Sequence, residues 1–134
     1  MNLNHVLAPK TWMILAGALF GTLAALAANW GNPLVKGKTD YVASEGKILA
    51  TISEPDVPTL EPIGGTGDTI TGLVSALVYA GLEPKAAAII ACRANRMAGK
   101  LTQPTPATKV RQVVDQFPTV LRQYYQQWTQ TLAA

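Results

Sequence analysis

Glycines at 64, 65 and 67 enclose Thr66, are followed by Asp68, and run straight into an apolar segment of helical period. Ile70, Leu73, Val74, Leu77 and Val78 recur three and four residues apart, the stripe of an amphipathic helix. Glycines admit positive φ and let another group approach the main chain closely. Successive N–H groups at such a helix start point outward, unpaired, at the positive end of the helix dipole. A phosphate or a developing oxyanion is their natural occupant. Asp68, in the first turn, would be held beside that anion, where a carboxylate can take the proton of a hydroxyl or water. The glycine amides would meanwhile stabilise the charge that develops. The same residues also suit a plain helix start, because Asp is favoured in any first turn and glycines punctuate loops. The run is not a Walker motif, since no Lys follows at the required place.

The rest of the chain supplies alternating strands and helices. Leu3 to Leu7 reads as a short strand ended by Pro9, and Thr11 caps an apolar helix that stops between Asn29 and Pro33. PLVKG follows as a strand, and YVA and KILAT, separated by SEG, read as a β-hairpin. Ser53 to Pro62, with its prolines and acids, is a loop. Gly81 ends the helix that follows the glycines, and Pro84 opens another running to about Ala98. GKLTQPTP is a second loop, with Thr105 capping a helix begun by Pro106. Val110, Val113, Val114, Phe117, Leu121, Tyr124 and Trp128 continue the apolar stripe, broken or kinked at Pro118. This order is α/β, with right-handed crossovers expected.

Thr11 to Trp30 carries no charged residue and is long enough to cross a bilayer, with a tryptophan near each end. It also has the outline of a signal peptide, with Lys10 ahead and Ala25-Leu26-Ala27 as a cleavage site. Its many Ala, Gly and Thr residues make it only modestly hydrophobic, and a helix apolar all round can equally be buried in protein. A buried helix is the first reading. With 134 residues, 49% hydrophobic and 14% charged, the chain is core-rich and sized for one domain. A net charge of +3, without basic runs interleaved with aromatics, leaves no nucleic-acid footprint. The single cysteine, Cys92, excludes an internal disulfide and fits a reducing, cytoplasmic setting. Flanked by Ile89, Ile90 and Ala91, it reads as a small buried hydrophobe. His5 and Cys92 are too few for a His/Cys metal site. Arg93, Arg96 and Lys100 read as a solvated face, and the aromatics of QYYQQW as packing.

GGTGDTITGLVSALVYAGLEPKAAA resembles the signature of the ribokinase-like superfamily. It is nearest to the NAD(P)H-hydrate dehydratase branch, whose pattern is roughly G-G-S-G-D-V-L-T-G followed by a helix. PLVKGKTDYVASEGKILAT looks like that branch's V-L-K-G-x-x-T strand and hairpin, and VRQVVDQFPTVLR looks like its closing helix. VLAPKTWMILAG resembles, more faintly, its T-P-H-P-G-E entry, with neither the His nor the Glu. On this resemblance Thr11 to Trp30 is a crossover helix. The resemblance implies that Lys36, Gly37 and Thr39 lie by the phosphates of ATP or ADP, usually with a magnesium ion. It makes Gly64, Gly65, Thr66 and Gly67 the anion hole and Asp68 the catalytic carboxylate. The implied chemistry is phosphorylation of a hydroxyl, as in sugar kinases, or reversal of the hydration of damaged nicotinamide cofactors.

Members of that branch are about twice as long by general domain size. The expectation is therefore a truncated ribokinase-like, Rossmann-like half-domain over residues 1–134: a small sheet with a hairpin, packed by about four helices. A half-domain exposes a strand edge and an apolar helix, so self-association, or a second chain supplying the N-terminal half, is expected. Thr11 to Trp30 would then be buried between subunits. The alternatives are an inactive oligomeric scaffold of the same fold, in which the loop serves folding alone, and a protein anchored to a membrane by its first helix.

Overall fold

The computed structural model describes residues 34–134. The strand expected at 3–7, the helix at 11–30 and its place between subunits lie outside the described residues. The described residues fall into two compact units, one ending at Thr51 and the other running Ile52–Ala134.

The first unit carries β1 (Leu34–Val35), β2 (Asp40–Ser44) and most of β3 (Lys47–Ile52), in the order β1-β2-β3. β1 pairs antiparallel with β2, Leu34 opposite Val42 and Val35 opposite Tyr41. β2 and β3 form the expected hairpin. Its two-residue turn is Glu45-Gly46, with φ of 52° and 74°, the geometry whose twist matches the flanking strands. Val42, Ala43 and the carboxylate-bearing Asp40 are buried, whereas Ile48 and Leu49 of β3 are exposed. The described strands are joined by short turns. The right-handed crossovers expected from the sequence would fall on segments outside the described residues.

The second unit is helical. A 3₁₀ turn (Pro58–Leu60) interrupts the expected loop, and α1 (Thr66–Tyr79) starts directly on the glycines. Ile70, Leu73 and Leu77 of its stripe are buried, Val74 is half-buried, and Val78 near its end is exposed. After α1 the Gly81 and Leu82 amides donate back to the carbonyls of Val78 and Leu77, closing the helix. α2 (Pro84–Thr102) begins on Pro84 as expected. The Glu83 side chain caps it, accepting from the amides of Lys85 at 2.9 Å and Ala86 at 3.2 Å.

α2 is the hub, packing on α1, on α3 (Val110–Val114) and on α4 (Phe117–Ala133). Ala87, Ala88, Ile89, Ile90, Ala91, Cys92, Ala94 and Ala98 are buried along it. Cys92 is thus the small buried hydrophobe its neighbours suggested. The break between α3 and α4 falls next to Pro118, where the missing N–H is harmless in a first helical turn. Tyr124 and Trp128 stack on one face of α4, ring centroids 5.4 Å apart at 15°.

Three readings are corrected. α2 does not stop near Ala98; it runs to Thr102. Gly99 lies inside it because Leu60 occupies the space that a Cβ there would need. Thr105 does not cap a helix. Its amide donates to the Thr108 hydroxyl at 2.8 Å and its carbonyl accepts from the Thr108 amide at 2.9 Å, closing a tight turn around Pro106. The helix begins instead after Lys109, whose amide donates to the Gln112 side chain at 2.8 Å. Arg96 is not on a solvated face: it is buried, and its Nη1 donates to the Ser53 carbonyl at 2.9 Å. Lys100 is exposed and Arg93 half-buried.

Gly99→Ala tests the close approach. The alanine should gain about 1 kcal/mol of helix propensity and lose about 1–3 kcal/mol by displacing Leu60. The expected net effect is a lower urea midpoint at unchanged slope; a midpoint at or above the parent's would mean that Leu60 moves aside freely.

Candidate functional site

The glycine loop owes its shape to one residue with a positive φ. Gly65 is the N-cap of α1 at φ 89° and ψ −5°, which turns the chain out of the loop and into the helix. Among the described residues, the amides of Gly64, Gly65, Thr66, Gly67 and Asp68, in a turn and the first turn of the helix, make no hydrogen bond of good geometry; the next amide, of Thr69, donates to the Gly65 carbonyl at 3.1 Å. These are the orphan donors of a helix start, and no side chain caps them. Gly64, Gly67 and Asp68 are exposed, Gly65 is half-buried and Thr66 is buried. The Asp68 carboxylate is engaged by no other described residue. An uncapped row of amides beside an exposed carboxylate can bind an anion and offer it a base.

Polar groups support this turn from beneath. The Thr69 hydroxyl lies 2.8 Å from the Thr66 carbonyl and 2.7 Å from Oδ1 of Asn95 on α2. Asn95 is 3% exposed, on a helix whose buried residues are mostly alanines and isoleucines.

A groove of about 470 Å³ opens beside the loop. Ile63, Gly64 and Pro62 line one side, and Thr105, Pro106, Lys109 and Val110 the other. Val110 side-chain atoms lie within ordinary contact distance of a Cβ built at Gly65, so the start of α3 abuts the N-cap of α1. That volume falls within the range of small-molecule sites. Glu61, ahead of the glycines, is exposed. Among the described residues no three His, Cys, Asp or Glu groups gather as a metal site would require, and no helix is long and apolar enough to cross a membrane.

Lys36, Gly37 and Thr39 belong to the first unit, between β1 and β2. The Gly37 amide donates to a carboxylate oxygen of Asp40 at 3.1 Å, so Asp40, which is 1% exposed, shapes this turn. Lys36 is exposed and Thr39 half-buried. Sequence reasoning overlooked Asp40 and Asn95. The signal for Asp40 was its place directly after Lys-Gly-Lys-Thr at a strand start. For Asn95 it was an amide one turn from Ala91 and Ala98, on the apolar side of a helix.

The sequence profile of a family described as NAD(P)H-hydrate dehydratase matches residues 16–117, from before the described segment to the first residue of α4. This chain belongs to the NAD(P)H-hydrate dehydratase family. An uncharacterized protein of Methanocaldococcus jannaschii is 38% identical over 88 residues, 66% of this chain and 38% of that protein. A bifunctional NAD(P)H-hydrate repair enzyme of Pyrobaculum aerophilum is 29% identical over 100 residues, 73% of this chain and 19% of the enzyme. An ADP-dependent (S)-NAD(P)H-hydrate dehydratase of Nitrosopumilus maritimus is 34% identical over 70 residues, 52% of this chain and 23% of the enzyme. The chain thus matches well under half the length of each of these relatives. No solved structure matches it. The family match spans both the Lys36–Thr39 turn and the glycine loop.

The two leading glycines of this family member should differ sharply on substitution. Gly65→Ala places a Cβ at positive φ and should cost about 1–2 kcal/mol, read as a lower denaturant midpoint. Gly64, where a Cβ meets nothing within 4 Å, should accept alanine with little change in stability. Equal losses at both positions would contradict the assigned N-cap.

Proposed function

We propose that this chain binds an adenine nucleotide, ADP or ATP, as a nucleotide-binding member of the NAD(P)H-hydrate dehydratase family, with Asp68 as the catalytic base. The observation that carries the reading is the row of unpaired amides from Gly64 to Asp68. Such donors, fixed before the ligand arrives, stabilise phosphate charge without reorganising. The groove beside Gly64 supports it, offering apolar walls at Ile63, Pro106 and Val110 with polar groups at Thr105 and Lys109. The named activity of the Nitrosopumilus relative, an ADP-dependent dehydratase, supports the choice of nucleotide. Lys36, Gly37 and Thr39 are proposed as phosphate-side residues on the family match alone.

The chemistry asked of Asp68 is proton transfer. As a substrate hydroxyl attacks the terminal phosphorus, its oxygen forms the new bond and Asp68 takes its proton. The bridging oxygen leaves with the shortened nucleotide, its charge growing next to the glycine amides. For a hydrated nicotinamide the new phosphate ester would then be eliminated: its C–O bond breaks, phosphate departs with the oxygen, and the neighbouring carbon loses a proton to restore the ring double bond. With no clustered ligand set among the described residues, a magnesium ion would arrive on the nucleotide's phosphates rather than in a preformed protein cage. It would neutralise phosphate charge there.

Melting the purified protein with Mg·ADP or Mg·ATP tests the reading. Ligand at a hundredfold over Kd should add about 2.7 kcal/mol of stability. Absence of any shift at millimolar nucleotide would leave the loop as a folding element of an inactive scaffold. Asp68→Asn should keep nucleotide affinity and lose turnover of the hydrated cofactor; full activity in that variant would remove the base from Asp68.

A further inference from the structure

We propose that Asn95 is a positioning residue for the glycine loop, acting on it through Thr69. A carboxamide only 3% exposed would destabilise α2 against its neighbours unless its polar atoms found partners. Positions along the same helix at Ala87, Ala91, Ala94 and Ala98 are filled by small apolar residues, whereas Asn95 brings a carboxamide to the buried surface. Asn95 instead reaches α1 and meets the Thr69 hydroxyl at 2.7 Å.

Thr69 is the first residue of α1 whose amide is bonded within the turn, to the Gly65 carbonyl at 3.1 Å. Its hydroxyl is also 2.8 Å from the Thr66 carbonyl. One hydroxyl hydrogen serves one acceptor at a time. Both contacts are satisfied together when Thr69 donates to Thr66 and the Asn95 amide turns its NH₂ toward the Thr69 oxygen. In either arrangement Asn95 holds the residue that grips both Gly65 and Thr66, the flanks of the positive-φ bend. Gly65 has no side chain of its own to restrain it, and Gly67 follows two residues later. The rigidity that this stretch of amides needs must therefore come from beneath, and Asn95 supplies it from the most buried helix of the unit.

The role rests on the reading of the loop as an anion site, so the experiment separates the two. ADP affinity of the full chain is measured by calorimetry for wild type, Asn95→Leu, Thr69→Val, the double variant and Thr69→Ser. Backbone ¹⁵N order parameters of Gly64–Asp68 are recorded without ligand. Asn95→Leu and Thr69→Val should each weaken ADP roughly tenfold. The double variant should be no weaker than either single, and Thr69→Ser, which keeps the hydroxyl, should bind as wild type. Order parameters at Gly65 and Gly67 should fall in Asn95→Leu from about 0.85 toward 0.6.

A lower melting temperature with unchanged ADP affinity and unchanged order parameters would make Asn95 a packing residue only and overturn the proposal. Failure of wild type to bind ADP would sink the nucleotide reading. The order parameters would then decide the positioning role alone, unchanged values ending it and lowered ones sustaining it. Where Asn95→Leu does not fold, Thr69→Val takes its place in each comparison, and the same results sustain or end the role.

Discussion

The helical unit depends on how closely other segments can approach α2. Its surface is rich in alanines with one glycine, so α1, α3 and α4 pack against it with little side chain in between. Dispersion energy falls off steeply with separation, and close contact over a whole helix accumulates where single contacts are weak. Gly99 carries the same logic furthest, since Leu60 occupies the place of its absent Cβ. The loop that precedes the glycines is thereby fastened at two points, by Leu60 on Gly99 and by the Ser53 carbonyl on buried Arg96. Arg96 is favoured there because a guanidinium can satisfy a buried carbonyl while its stem lies along apolar surface.

On that base sits a helix start left open. Most helices close their first turn with a Ser, Thr, Asp or Asn side chain, and α2 closes its own with Glu83. At α1 the capping position is Gly65, which has no side chain to offer, and the amides stay unbonded. A glycine at the cap gives up only a few tenths of a kcal/mol relative to a Ser, Thr, Asp or Asn cap, so the end is left open at small cost. Retaining it beside Asp68 and a groove makes sense where a ligand supplies the acceptors. Membership of the NAD(P)H-hydrate dehydratase family gives that open end its chemical context.

Much of the architecture was legible because local rules governed it. Glu45-Gly46 between alternating strands made a hairpin, Pro84 opened a helix, and Pro118 separated two. Each outcome follows from backbone preferences set by the residue itself and its immediate neighbours. The errors share a different cause. Gly99 read as a stop because glycine weakens isolated helices, yet its bareness was required by Leu60, distant in sequence. Thr105 had the chemistry of a cap and used it on a turn with Thr108. Arg96 looked like surface since charge alone says nothing of a carbonyl 43 residues earlier.

For the site, the amino-acid order determined the loop itself: glycines able to bend, amides with no cap, and an acid at the head of an apolar stripe. These are properties of adjacent residues, and adjacency is what a linear chain specifies. Tertiary packing alone decided that Asn95 lies under Thr69, that Asp40 closes the turn at Gly37, and that Lys109 and Val110 border the groove at Gly64. Those pairings depend on the distances at which helices and turns come to rest, which are set by the sizes of side chains on several segments at once.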